Sequence, residues 1–309
     1  HSGKTKYTPV DGTADLKDAI IKKFSRDNGL EYAANQVLVS VGGKQSFFNL
    51  AQAFIEAGDE VIIPAPYWVS YPDMTLLADG VPVIIKAGQE NQFKITPEQL
   101  EAAITDKTKL FVINSPSNPT GMAYSLKELE ALGEVLRKHP NIFIATDDMY
   151  EHIYWADEPF CNILNACPDL HDRTLVMNGV SKAYSMTGWR IGYAAVPAPL
   201  IAAMKKVQSQ STSNPASISQ AAAVEALNGD QSCIKTMLTE FKKRHDFVVA
   251  ELNKMPGVDS LETDGTFYVF PSIAGVLENK TELKDDMDFA EALLVEKGVA
   301  VVPGSAFGL

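Results

Sequence analysis

Seven short aliphatic and β-branched runs constrain this chain most: "QVLVSV", "EVIIP", "VPVIIK", "KLFVIN", "IFIATD", "TLVMN" and "IGYAAVP". Amphipathic stretches separate them. Runs with so few polar positions suit strands buried on both faces, and the stretches between suit helices that cover those faces. The pattern predicts an α/β fold: three layers, with a mainly parallel seven-stranded sheet and helices on both faces. Helix punctuation agrees. "KQSFFNLAQAFIEA" stops at Gly58 and "YPDMTLLA" at Gly80, while Thr96-Pro97 with Gln99, and Ser125 with Glu128, have capping-box spacing.

From about Cys233 the character changes. A long polar helix, "CIKTMLTEFKKRHDFVVAELNKM", leads to a strand-like "TFYVFP", a further helix and a strand-like "GVAVVPG". A chain of 309 residues exceeds the size at which one core usually keeps growing. The expected division is a large domain over 1–240 and the start of a smaller α+β domain over 241–309. The chain opens without a methionine and stops directly after a strand-like run, as expected of a fragment.

Charge and cysteine usage exclude several classes of function. The formal net charge is −12 with no Lys/Arg block, which argues against nucleic acid or an anionic membrane surface as partner. No apolar run is long enough to span a membrane. Cys161, Cys167 and Cys233 form no CxxC pair, so they read as reduced packing thiols in a cytoplasmic protein. His139, His152, His171 and His245 lack metal-ligand spacing and read as surface or cap residues.

In a doubly wound sheet the ligand lies at the carboxyl ends of the strands. The chemically distinctive residues follow the apolar runs as that rule requires. Gly42-Gly43 follows "VLVSV", Asn114 and Asn118 follow "FVI", Asp147 and Tyr150 follow "IFIAT", and Lys182 follows "TLVMN". A lysine among small and hydroxyl residues, with Arg190 eight positions on, has the setting that lowers an amine's pKa for attack on a carbonyl.

Three motifs in this order, "NSPSNPTG", "DDMYEH" and "SKAYSMTGWRIGY", resemble those of fold-type I aminotransferases that use pyridoxal 5′-phosphate (PLP), in the bacterial-type aspartate aminotransferase subgroup. The likeness runs over essentially the whole chain. It implies that Lys182 is the Schiff-base lysine and the base that moves the substrate Cα proton. Asp147 would pair with the pyridine nitrogen, with its neighbour Asp148 competing for the role. Tyr150 and Asn118 would hydrogen-bond the ring oxygen O3′, although Asn-Pro-x-Gly also makes a turn unaided. Gly43, Lys44 and Gln45 open a helix suited to a phosphate, and Arg190 matches the family's phosphate-binding arginine. Trp68 matches the aromatic that stacks on the ring. Tyr7 matches a tyrosine lent across a homodimer to the neighbouring subunit's phosphate.

The resemblance further implies that Lys44, Trp68 and Asn118 meet the substrate, with Lys44 reaching the distal carboxylate of acidic amino acids. L-Aspartate with 2-oxoglutarate is the expected pair, with prephenate a further acceptor. An aromatic or broad-specificity aminotransferase, and a PLP lyase or synthase, remain open alternatives. So does a non-catalytic effector-binding module of a transcription regulator. The chain departs from the family in two respects. Gly179 stands where some relatives carry a phosphate-binding serine, and the arginine for the substrate α-carboxylate is expected beyond residue 309.

Overall fold

The computed structural model describes residues 3–280 and 282–309. The seven runs form one sheet: β1 Val37–Ser40, β2 Glu60–Ala65, β3 Val81–Lys86, β4 Thr108–Asn114, β5 Phe143–Asp147, β6 Thr174–Gly179 and β7 Gly192–Ala195. Their spatial order is β1-β7-β6-β5-β4-β2-β3. Side chains alternate between two apolar layers, which is why the runs carry little polarity. Ile62, Phe111, Ile113, Ile144, Val176 and Tyr193 face one core, where the helices Ala14–Lys23 and Leu126–Lys138 contribute Leu16, Ile20, Leu129 and Leu136. Val61, Ile63, Leu110, Val112, Ala145 and Met177 face the other, against Phe47 and Leu50 of the helix Gly43–Phe54 and Met204 of the helix Ala198–Gln210. Both expected capping boxes form, at Thr96/Gln99 and Ser125/Glu128.

β7 runs antiparallel to both β1 and β6, whereas the other pairings are parallel. Between β6 and β7 the chain makes only a one-turn helix, Val180–Ala183, and a 3-10 turn, Thr187–Trp189, so it returns at the same end of the sheet. A parallel crossover would need a covering helix long enough to travel back. This reversal has a functional consequence. It puts Arg190, just before β7, at the edge where the parallel strands end.

Two strand expectations fail. Among the described residues neither "TFYVFP" nor "GVAVVPG" enters a ladder. The nearby backbone makes only isolated bridges, Tyr154 with Gly265 and Asp259 with Ser272. Side chains of a strand-like pattern do not make a strand without a partner backbone. The expected division at residue 240 falls inside the continuous helix Ser232–Leu252. Of the cysteines, Cys167 is buried and Cys161 half-buried, but Cys233 is exposed and packs no core.

A buried ion network braces the sheet edge from below. The Lys23 ammonium pairs with Glu151 and donates to Asn28 Oδ1 at 2.7 Å, while Glu151 accepts from Asn28 and Asn178 at 2.7 Å each. Asn178 Oδ1 in turn accepts the Gly179 N–H at 2.7 Å, directly before the turn that carries Lys182. Burial pushes the Glu151 carboxyl up, but Lys23, His152 and Asn28 outweigh it and hold it below the usual range. Asp27, Glu151 and His152 bring ligand atoms within 4.8 Å of one another. Lys23 already supplies the cation there, so the cluster reads as an ion network. Lys23→Met would leave Glu151 buried without its counter-charge. The expected loss is about 3–5 kcal/mol in urea unfolding, and a loss below about 1 kcal/mol would contradict the pairing.

Candidate active site

The carboxyl edge of the sheet opens into a cavity of about 240 Å³, lined among others by Gly43, Lys44, Trp68, Asn118, Asp147, Tyr150, Lys182 and Arg190. Eight of the ten residues expected from sequence thus converge on one space. Gln45 and Tyr7 do not. The Gln45 side chain lies one helical turn from Asn49 and donates to its Oδ1 at 2.7 Å, and its N–H already bonds Gly42 O at 3.1 Å. Helical periodicity, not proximity in sequence, directs it away. Tyr7 is 93% exposed.

Lys182 sits on the one-turn helix after β6, its amine over the Tyr150 ring at 5.7 Å and the Phe267 ring at 5.1 Å. Among the described residues its Nζ has neither an ion pair nor a hydrogen bond. Burial lowers its pKa and the Arg190 guanidinium lowers it further, with Asp147 opposing. These are the conditions under which a lysine becomes a nucleophile and base.

Asp147 and Asp148 point to opposite sides, as adjacent residues at a strand end must. Asp147 lines the cavity, accepting from Tyr71 Oη at 2.6 Å and the Met149 N–H at 3.2 Å. Burial pushes its carboxyl above the ordinary value, while those donors and Lys182 pull the other way. Asp148 is turned into the protein, where it accepts from Thr146 at 2.6 Å and Asn162 at 2.7 Å. Burial pushes it up to about 7.

Asn118 is held by its own backbone, whose N–H donates to Asn114 Oδ1 at 2.7 Å; Asn114 Nδ2 donates to Asp147 O at 2.9 Å. The asparagine turn and the aspartate strand end are therefore tied together. Lys44 extends over the Trp68 ring at 5.2 Å, and Trp68 meets Tyr71 edge-on at 5.2 Å.

Arg190 adopts a left-handed backbone, φ 55°, that only a constrained turn makes worthwhile. Its Nη1 donates to Thr187 O at 2.8 Å. Gly42 makes the approach possible: a Cβ there would lie 2.3 Å from Arg190 Nη2. Gly179 has an equally local reason. A Cβ at this position would meet Ile191 O at 2.9 Å and Gly192 Cα at 3.1 Å, so the β6–β7 contact leaves little room for a serine. Ser181 does line the cavity.

The set fits PLP. The first N–H groups of the helix Gly43–Phe54, those of Gly43 and Lys44, have no hydrogen-bond acceptor among the described residues, and the Arg190 guanidinium lies against Gly42. A helix start of this kind suits a phosphate. A carboxylate, an unpaired amine, two aromatic rings and an amide surround the space that a pyridine ring requires.

Four features were missed at the level of sequence. Tyr71 and Tyr268 both contribute hydroxyls here, but their sequence neighbourhoods carry no signal that marks them. His152 contacts Asp27 at 3.3 Å within the ion network. His245 is buried and not a surface residue, accepting the Thr263 N–H on Nε2 at 3.2 Å.

The fold and cavity define a PLP-dependent transferase. All 309 residues match the family model for aminotransferase class I and II, and the chain belongs to that family. It is 58% identical to an aspartate/prephenate aminotransferase of Nitrosomonas europaea, over 99% of this chain and 79% of the relative. The aspartate aminotransferase of Rhizobium meliloti superposes with a TM-score of 0.96 at 50% identity, covering 100% of this chain and 78% of that one. An aromatic aminotransferase from Pyrococcus horikoshii gives a TM-score of 0.93 at 35% identity, covering 99% and 81%. No described helix is long and apolar enough to cross a membrane.

Proposed function

We propose that this enzyme transfers the amino group of L-aspartate or L-glutamate to 2-oxoglutarate or oxaloacetate, with prephenate as a further acceptor. The observation that carries this reading is the presence of two lysines with different surroundings in one cavity. Lys182 lies among groups that depress its pKa, whereas Lys44 stands against Trp68 as a separate cation. The aspartate/prephenate relative supports the choice of acidic substrates. In an acidic protein a dicarboxylate needs a local cation rather than a general positive field.

Bound PLP supplies an electron-withdrawing ring that stabilises negative charge developing at the substrate Cα. Lys182 would hold the reacting end of the cofactor until the substrate's amine displaces it, and its freed amine would then lift the Cα proton and return it. Asp147 would keep a proton on the pyridine nitrogen. Tyr150 and Asn118 would donate to the ring oxygen, and Trp68 would pack against the ring. Arg190 and the N–H groups of Gly43 and Lys44 would hold the phosphate, while Lys44 Nζ would receive the substrate's distal carboxylate. The amino acid leaves as an oxo acid, and a second oxo acid then takes up the amine in a ping-pong exchange. We place Tyr7 at the neighbouring subunit's phosphate in a cytoplasmic homodimer, a reading its exposure supports. We likewise retain 1–240 and 241–309 as large and small domains.

Lys44→Ser tests the substrate assignment. kcat/KM for L-aspartate is expected to fall about 100-fold or more, and that for L-phenylalanine by less than about 5-fold, because only the acidic substrate loses a charge-assisted contact. Equal losses would assign Lys44 to the phosphate and favour the aromatic or broad-specificity reading.

A further inference from the structure

Tyr268 lies 118 residues from Tyr150 in sequence, yet their hydroxyl oxygens are 2.8 Å apart and the rings meet edge-to-face at 5.8 Å. The segment that delivers it is pinned to the site on two sides. Asp264 and Gly265 donate their N–H groups to Gly121 O, at the end of the Asn118 turn, at 3.1 and 3.0 Å. Thr266 N–H donates to Ile153 O at 2.7 Å, just after Tyr150, and the Tyr268 N–H closes onto Thr266 Oγ1 at 3.2 Å. Gly121 must be glycine for this junction, since its φ is +75° and a Cβ would stand 2.7 Å from Gly265 O.

We propose that Tyr268 is a positioning residue for Tyr150: its hydroxyl donates to the Tyr150 oxygen and thereby aims the Tyr150 proton into the cavity. This rests on the reading above, in which Tyr150 donates to the ring oxygen of bound PLP. A proton count carries the argument. Burial pushes both phenols above the ordinary tyrosine value, so each keeps its proton at neutral pH. Two hydroxyls then hold two protons, and the bond between them uses one. If Tyr150 donated to Tyr268, no proton would remain for an acceptor beside Tyr150. The opposite order, from Tyr268 to Tyr150 to the acceptor, satisfies both bonds. It also makes Tyr150 a stronger donor, because a hydroxyl that accepts a hydrogen bond is polarised for giving one.

Tyr268→Phe retains the ring and removes only the O–H. The readout is the pH midpoint of the visible-absorbance transition of the PLP-loaded enzyme. Weaker donation leaves more negative charge on the ring oxygen, so the chromophore holds its proton to higher pH. An upward shift of about 0.5–1 pH unit is expected, the size of one modest hydrogen bond. The charged groups that face Tyr150, Lys182 and Asp147, are untouched by this variant. Tyr150→Phe should shift the midpoint further, and adding Tyr268→Phe to it should change nothing more, because Tyr268 acts only through Tyr150. An unmoved midpoint in Tyr268→Phe, with a clear shift in Tyr150→Phe, would overturn the proposal and leave the Tyr150 reading standing. Additive shifts in the double variant would also overturn it. No shift in Tyr150→Phe would remove the underlying reading, and the proposal with it.

Discussion

Lys182→Ala is expected to abolish turnover, by at least about 10⁴-fold, while PLP still binds non-covalently. The size follows from the loss of two functions on one atom. Removing a general base alone costs about 10²–10⁴-fold, and here the nucleophile disappears with it. Binding survives because the other holding groups are independent of this side chain. Arg190 is fixed by Thr187 and the Gly42 turn, and Asp147 by Tyr71 and Met149. Single-turnover rates with L-aspartate and equilibrium dialysis of the cofactor separate these effects. More than about 1% of the wild-type rate would refute the assignment of the base.

Asp147→Ala should lower kcat by about 10²–10⁵-fold, or roughly 3–7 kcal/mol at ~1.4 kcal/mol per tenfold. The carboxylate is worth this much because it is buried, where a charge opposite the pyridinium is little screened. Two donors keep it aimed at the cavity. Asp148 provides the internal control. It is more deeply buried, but its oxygens are taken by Thr146 and Asn162, so Asp148→Asn should act on stability with little change in kcat. If the Asp148 variant is the crippled one in steady-state assays, the roles of the two carboxylates are reversed.

The sheet was legible because its strands are buried on both faces. Ile62 and Ile63, or Phe111 and Val112, face different cores, so each run stays apolar throughout and stands out. The direction of β7 was not legible, since it depends on how far the Val180–Ile191 segment travels and not on its hydrophobicity. The site residues at or within three residues of strand ends, Gly43, Asp147 and Lys182, were readable from the rule that ligands meet strand ends. Tyr71 and Tyr268 were not, because an aromatic in an amphipathic or strand-like run reads as core until its hydroxyl's partner is known. For Gln45, adjacency to Gly43-Lys44 suggested the phosphate, whereas the helical turn sends its side-chain amide to Asn49. Nothing in the sequence distinguishes Lys23 from other basic residues. It is 1% exposed, and its role exists only because Glu151, on another element, comes to meet it.

The central claim is that one lysine in this cavity holds the cofactor. Borohydride reduction of the PLP-loaded enzyme, followed by proteolysis and peptide mass spectrometry, tests it directly. The expected result is a single phosphopyridoxyl label on Lys182, lost when the enzyme is first converted to its amino form with excess L-aspartate. Label on Lys44 or any other lysine, or none at all, would contradict it.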